Sequence, residues 1–426
     1  MDTPPQPGLL ATLRAAAFRS LRHRNYRLYF YGQIVSLTGS WMQTAALMWL
    51  VYDRTADALW PPLMMAAQVG PTLLLGPVGG VLADRYPKRS VITCTQLLFL
   101  LNAVALTVLV ACGLTVPWLL FAVAVANGTV QAFDLPARLA YVPDLVPVDD
   151  LINAVSLNSL LFNAGRAVGP ALTGGLFLLA GWAAGWFPGS RPVIVGAVAC
   201  FAVNVVSFLA VLAALRRIDA TEGDLRTKPR GSLLDGFRFV RSRPLLAALL
   251  VCTGFAGVFG WPTLTLFPPY TARVLHHAEK EYSLLVSALG VGALVAALAN
   301  ATFGSLARAR RAIVAGSILT AVGILGLALT VSMPVALLSS AVFGFGMILY
   351  LSTGQSVLQL STPSDARGRV MALWPMTLSG SSIVGNLVSG WVADRYMSIP
   401  DLLQVMAAGV GLTAAVVTLV AWRTRR

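Results

Sequence analysis

The chain reads as an all-α membrane protein of twelve transmembrane helices, and three observations lead there. Of its 426 residues 57% are apolar and 11% charged, whereas a soluble chain needs about a quarter of its residues charged to cover its surface. Its mean hydropathy is +0.75. The apolar residues are gathered into long blocks, and about 20 helical residues cross a hydrocarbon core. The blocks are too continuous for barrel strands, and the need to pair every backbone group inside a bilayer leaves no third spanning structure.

The spans fall at approximately 27–52, 61–83, 90–112, 117–140, 151–180, 193–215, 244–272, 281–303, 311–331, 334–360, 368–393 and 400–422. Pro61-Pro62, Pro117, Pro192, Pro244, Pro334 and Pro400 stand at or just before span starts, where a missing N–H costs nothing. Orientation follows from Lys and Arg, which concentrate on cytoplasmic loops. With the N-terminus inside, 25 of the 31 cations fall on the cytoplasmic side, five fall outside, and Arg166 lies within a span. Both termini are therefore expected in the cytoplasm, and the formal +14 is a topology signal rather than a nucleic-acid footprint.

The longest polar interval, 216–243, separates the sixth and seventh spans and carries Asp219, Glu222, Asp224 and a Lys228-Pro229-Arg230-Gly231 turn. The chain thus divides into a cytoplasmic segment 1–26, a six-helix half 27–215, the linker 216–243, a second half 244–422 and a tail 423–426. Leu233 to Val240 and Leu9 to Arg24 both mix apolar and basic residues and are expected to anchor on anionic lipid at the membrane surface. Cys94, Cys112, Cys200 and Cys252 lie in or beside apolar runs with no CxxC and no nearby His, so packing thiols are expected rather than redox or metal sites. No signal-peptide pattern opens the chain.

One loop narrows the field. The second span ends in Gly80-Val-Leu-Ala-Asp84-Arg85-Tyr86-Pro87-Lys88-Arg89. This resembles the G-x-x-x-D-R-x-G-R-K loop of the major facilitator superfamily, with Pro87 in place of the turn glycine. The stretches Phe18-Arg19-Ser-Leu-Arg-His-Arg-Asn25-Tyr26-Arg27, Gly32-Gln33-Ile-Val-Ser36-Leu-Thr-Gly39-Ser40-Trp41-Met42-Gln43, Gly165-Arg166-Ala-Val-Gly169-Pro170 and Arg367-Gly368-Arg369-Val370-Met371 look like the bacterial exporter branch that holds enterobactin exporters and macrolide efflux pumps. The resemblance implies a major facilitator fold in the bacterial inner membrane, with two six-helix halves working by alternating access. It also implies that Asp84 latches onto the start of the eleventh span, near Arg367 and Arg369, when the cytoplasmic side closes. On physical grounds alone, Gly80 lets two helices approach closely, and Arg85, Lys88 and Arg89 reach lipid phosphates or acidic loop residues. The second half has Gly304-Ser-Leu-Ala-Arg308, with a cation where the acid should stand, so latching is expected to be asymmetric. A near-copy, Gly390-Trp-Val-Ala-Asp394-Arg395-Tyr396, falls at the outer end of the eleventh span and is expected to be a helix terminus with interfacial aromatics rather than a second gate.

An ionisable group inside a span costs roughly 2.5–3.5 kcal/mol by insertion scales, so each calls for a reason. Arg166 stands near the middle of the fifth span, where it either meets an anionic substrate or a coupling carboxylate, or hydrogen-bonds carbonyls of a neighbouring helix. Asp134 lies toward the inner end of the fourth span with Arg138 one turn on. It is either part of a cytoplasmic charge cluster or the carrier of a coupling proton. Against the proton, the arginine that proton-coupled drug exporters of the family usually carry four residues before the span-four glycine is here Ala124, before Gly128.

The remaining intramembrane polar and aromatic residues suit a central cavity. They are Gln33, Ser36, Ser40, Trp41, Gln43 and Thr44 on the first span, Asn127 and Gln131 on the fourth, and Asn158 and Asn163 on the fifth. Trp261 and Tyr270 follow on the seventh, Gln355 and Gln359 on the tenth, and Trp374 and Asn386 on the eleventh. No His/Cys/Asp cluster has metal-ligand spacing and no GxxxxGK[ST] motif is present, so neither an enzyme, a cofactor, a metal nor ATP hydrolysis is expected. The expected function is export of a hydrophobic or amphipathic small molecule, with protons as the coupling ion and membrane lipid as surroundings, by a monomer. A lysophospholipid or other lipid transporter of the same fold is the alternative.

Overall fold

The computed structural model describes residues 18–184, 191–219, 233–303 and 306–423, all of whose regular structure is helical. Twelve long helical segments follow one another: α1 Arg24–Thr55, α2 Trp60–Arg85, α3 Lys88–Ala111, α4 Pro117–Leu145, α5 Leu151–Ala184, α6 Pro192–Arg216, α7, α8 Glu279–Phe303, α9 Leu306–Ala328, α10 Met333–Leu360, α11 Ser364–Arg395 and α12 Ile399–Arg423. Segment α7 is broken. It runs Pro244–Phe255, widens into a π turn at Ala256–Gly260, and resumes as Pro262–Thr265 and Phe267–Arg273. Among the described residues, ten segments are long and apolar enough to cross a membrane. The Lys228–Gly231 turn and Gly304 lie outside the described residues, as do residues 1–17 of the amphipathic N-terminal segment.

The first six helices pack on one another, α2 on α4, α1 on α5 and α6, and α3 on α4 and α6. The last six do likewise, α8 and α9 on α10, and α12 on α7 and α9. The two sets meet chiefly through α5 against α8 and α2 against α11.

One local device recurs at these crossings. A proline inside a helix has no N–H for the carbonyl four residues back. Pro71, Pro136 and Pro170 thereby leave the carbonyls of Ala67, Ala132 and Arg166 without their helical partners. Near each lies a glycine of a neighbouring helix. A Cβ on Gly128 would sit 2.3 Å from the Gln68 oxygen and 2.8 Å from that of Ala67, on Gly79 2.1 Å from that of Ala132, and on Gly290 2.3 Å from the Ala167 Cα and 2.8 Å from the Arg166 oxygen. Any side chain there would force the two backbones apart. This corrects the expectation for Gly80: a Cβ there would meet nothing within 4 Å, and the close approach belongs to Gly79, one residue and 100° away around the helix.

At the end of the bundle where α1 begins, the polypeptide is pinned by polar contacts rather than lying free. A 3-10 turn at Arg19–Arg22 docks on the start of α5. The Ser20 backbone N–H donates to Asn153 Oδ1 at 2.9 Å, its hydroxyl donates to the Asp150 carbonyl at 2.9 Å, and His23 Nε2 lies 2.6 Å from Asp150 Oδ2. Arg19 also pairs with Asp150. The short helix Leu233–Arg241 likewise packs on protein: Val240 is buried and Gly236 abuts the Arg369 backbone. Polar partners at the start of α5 hold the first segment, and close packing on α11 holds the second. Of the cysteines, Cys200 and Cys252 are buried, whereas Cys94 and Cys112 are exposed on the outside of the bundle, so packing accounts for two of the four.

Candidate substrate cavity

Polar side chains at helical spacing on α1 and α4 face each other across a cavity of about 360 Å³. Its wall on α1 runs from Tyr29 to Thr44 and goes no further; on α4 it runs from Asn127 to Leu139, and on α3 it includes Gln96 and Phe99. On α2 the wall is Met65, Gln68, Val69 and Thr72, in the half of that helix nearer Trp60, so the cavity extends from near the start of α1 past the middle of the bundle. Of the residues expected there, Ser36, Trp41, Gln43, Asn127, Gln131, Asn158 and Trp261 line it, together with Asp134 and Arg138. Trp41, Thr44 and Met65 also border a much smaller void beyond, walled by Pro170, Leu264, Thr265 and Tyr282.

Asp134 is 1% exposed. Its Oδ1 accepts hydrogen bonds from Thr95 Oγ1 at 2.7 Å and Gln96 Nε2 at 3.0 Å, and its Oδ2 lies 2.6 Å from Arg138 Nε. Arg138 Nη1 in turn donates to Gln33 Oε1 at 2.9 Å. Gln33 is thus a buried link between α1 and α4 behind the wall. A buried ion pair persists only when its remaining atoms are bonded, and α3 supplies those bonds through Thr95 and Gln96. Sequence reasoning passed over both; a Thr-Gln pair interrupting an otherwise apolar run is the signal that marks them. A second buried network joins α6 to α1, where Asn204 Nδ2 donates to Gln43 Oε1 at 2.8 Å.

Arg166 is 4% exposed and its guanidinium sits among three rings. Its Cζ lies 5.1 Å from the Trp41 centroid, 5.2 Å from Phe162 and 5.4 Å from Trp261. Gly165 and Gly169 bring α5 against Leu37, Thr38 and Trp41 of α1, while Gly290 brings α8 against its other side. The side chain is therefore clamped where three helices cross.

The residues expected from the second half fall largely elsewhere. Tyr270 is buried and its hydroxyl donates to the Leu327 carbonyl at 2.9 Å. Asn386 Oδ1 accepts from Thr265 Oγ1 at 2.8 Å, and Trp374 packs on Gly354. Gln355 and Gln359 are exposed and stand apart from the cavity wall. Helical spacing alone does not tell an inter-helix hydrogen bond from a cavity wall, and these five answer to packing or to an outer face. The side chain of Asn163 lies outside the described residues.

The two ends of the bundle differ. At the arginine-rich end Asp84 and Arg85 are exposed, and Asp84 has no ion-pair partner among the described residues. Lys88 Nζ lies 2.6 Å from Asp144 Oδ2 and Arg89 Nη2 donates to the Arg216 carbonyl at 3.2 Å, so these cations tie α3 to α4 and α6. Arg369 is half-buried beside Gly236, and the Arg367 side chain lies outside the described residues. At the opposite end the halves are joined. Arg273, at the end of α7, donates to the Tyr52 hydroxyl at 3.2 Å and to the Ala56 carbonyl, and pairs with Asp394 of α11 at 3.6 Å. Ala56 turns in the left-handed region at φ 51°, which presents that carbonyl. Beneath them Gly390 packs on Leu59 and Pro62. The GWVADRY stretch therefore does more than end a helix: Trp391 and Tyr396 are exposed and in ring contact, as an interface predicts, while Asp394 and Gly390 take part in a closed junction.

A profile of the family described as transmembrane secretion effectors, a major facilitator group, matches residues 15–425. The chain belongs to the major facilitator superfamily. This transporter is 25% identical over 391 residues to macrolide efflux protein A of Streptococcus pyogenes, covering 88% of this chain and 91% of that protein. It is 27% identical over 381 residues to the enterobactin exporter EntS of Citrobacter koseri, covering 86% and 85%. Among solved structures, a bacterial homologue of the human lysosomal transporter Spinster, in an inward-facing and occupied conformation, superposes with a TM-score of 0.70 at 16% identity, covering 94% and 97%. The transporter is thus a multi-pass protein of the bacterial inner membrane, related to efflux carriers and not to enzymes.

Proposed function

We propose that this transporter exports an amphipathic small molecule by alternating access, driven by proton entry, with Asp134 as the proton carrier. The observation that carries the reading is the buried Asp134–Arg138 pair set into the wall of an otherwise uncharged, partly aromatic cavity. With the arginine-rich end in the cytoplasm, Asp84 stands exposed and unlatched on the inner side, while Arg273 joins the two halves on the outer side. The two ends then have the opposite states that alternating access requires. Protonating Asp134 removes the charge that holds Arg138, which in turn holds Gln33 of α1. One proton thereby slackens a link between two helices that line the substrate path. The volume and mixed lining suit a drug-sized solute better than an inorganic ion.

Everted vesicles with an imposed pH gradient test this, using ethidium, Nile red and fluorescein as cationic, neutral and anionic probes. Gradient-dependent uptake of at least one, abolished by nigericin, is expected; uptake of none by correctly inserted protein removes the reading. For Asp134→Asn, exchange of probe across the membrane should persist while accumulation against a gradient is lost. Intact accumulation in that variant would remove Asp134 from the coupling.

A further inference from the structure

Arg166 is the one charge in the neighbourhood of the cavity whose chemistry the proton cycle leaves unused. Its guanidinium carries five N–H donors, yet no described residue accepts a hydrogen bond from it, and Nε is buried without a partner. A structural arginine in a membrane helix turns its donors toward free carbonyls. The free carbonyl nearest in sequence is Arg166's own, released by Pro170, and it faces Gly290 on α8. Three rings surround the guanidinium instead; all three line the cavity, and Arg166 itself stands behind them, off the wall. Faces of aromatic rings offset part of the cost of a desolvated cation but accept none of its hydrogen bonds.

Charge in and around the cavity points the same way. Asp134 and Arg138 neutralise each other at 2.6 Å, so Arg166 leaves the region with one net positive charge. We propose that Arg166 with Trp41, Phe162 and Trp261 forms an anion subsite immediately behind the cavity wall, reached when the three rings part, and that the transported solute carries a planar, delocalised anion such as an aromatic carboxylate. A carboxylate matches the guanidinium fork with two parallel hydrogen bonds, and its ring stacks on the indoles that line the approach. Trp41 and Phe162 belong to the first six helices and Trp261 to the broken segment α7 of the last six. A solute bound there touches both moving bodies at once. The inference rests on the export reading for its transport consequence, while the binding it predicts needs no flux.

Purified full-length protein in lipid nanodiscs, titrated calorimetrically with 2-naphthoate and with its uncharged analogue 2-naphthamide, tests the subsite. Wild type should bind the carboxylate about 10- to 100-fold more tightly than the amide, the range expected of a charge-assisted hydrogen bond. Arg166→Gln should erase that preference, costing the carboxylate about 10- to 100-fold more affinity than the amide, and Arg166→Lys, which keeps charge without the planar fork, should fall between. Equal affinity for the two ligands in wild type, or binding of neither, overturns the proposal without any variant being needed. A parallel loss of both in Arg166→Gln assigns the residue to structure and overturns it too. Gradient-driven pumping of ethidium and Nile red but not fluorescein would keep the export reading and sink this one. Carboxylate preference without pumping would do the reverse.

Discussion

Replacing Arg273 by Ala should shift the resting conformation toward one that is open at the Tyr52 end. Arg273 makes two hydrogen bonds across the junction, to the Tyr52 hydroxyl at 3.2 Å and to the Ala56 carbonyl, and one ion pair within its own half, to Asp394 at 3.6 Å. Hydrogen bonds from a charged donor are worth about 1.5–3 kcal/mol each when buried. Here the Arg273 and Asp394 side chains are 37% and 30% exposed, so solvent screens much of this, and the ion pair contributes about 0–1 kcal/mol. A loss of about 1–3 kcal/mol in total follows, which moves the ratio of the two conformations by about 5- to 150-fold. Pulsed electron-electron resonance between nitroxides at Arg54 and Val331, in a background where Cys94 and Cys112 are replaced, reads that ratio directly. The variant should gain a longer-distance population absent or minor in the parent. An unchanged distance distribution in Arg273→Ala would show that the junction is held by something else, with the packing of Gly390 on Leu59 and Pro62 the next suspect.

Two further outcomes are expected. In Gly290→Ala the new methyl would sit 2.3 Å from the Ala167 Cα and 2.8 Å from the Arg166 oxygen, both backbone atoms that have nowhere to go. Overpacking of about 1–3 kcal/mol should lower the thermal midpoint in detergent and slow transport, and an unaltered midpoint would refute the tight α5–α8 crossing. The third concerns Asp150, whose carboxyl is held below the usual carboxylate range, first by its hydrogen bond with His23 and then by Arg19. A depressed folded value means that the docking it supports is fully present above the ordinary carboxylate value near 3.9 and is lost as pH falls through the lower folded value. Protection of the amides over residues 18–26, relative to the intrinsic exchange rate at each pH, should therefore stay high at pH 5 and fall only under more acid conditions, whereas Asp150→Asn should be unprotected throughout. Equal protection in the variant would disprove the anchoring role.

The fold was legible because a bilayer imposes one rule on every helix. Blocks of about 20 apolar residues had to span it, and Pro117, Pro192 and Pro244 open helices in the structure as they punctuate the sequence. The interruption of α7 was not legible as a π turn, since Gly257 and Pro262 read equally well as a tolerated glycine and a kink. Cavity-lining residues on α1 and α4 were legible because a polar residue every three or four positions in an apolar helix faces something other than lipid. What that something is depends on the rotation of the neighbouring helix. Gln355 and Asn386 satisfy the same pattern as Gln131, yet one is exposed away from the cavity and the other bonds Thr265. Hydropathy measures cost in lipid; it carries no azimuth for the partner. Arg166 stood out from sequence because its cost is large, but two of the three rings around it lie 95 and 125 positions away along the chain, on Trp261 and Trp41, and only the packed fold brings them to one guanidinium.

The pairing of orphan carbonyls with glycines has a mechanical consequence. Interdigitated side chains make two helices grip like a ratchet, so that turning one past the other means climbing over ridges. Where Gly290 meets the Arg166 carbonyl, backbone rests on backbone. That contact lies between the two sets of six helices and so works as a bearing point, with fewer ridges to climb than an interdigitated seam. Of the three such contacts, the two between α2 and α4 sit inside the first half, and the third is where one set of helices bears on the other.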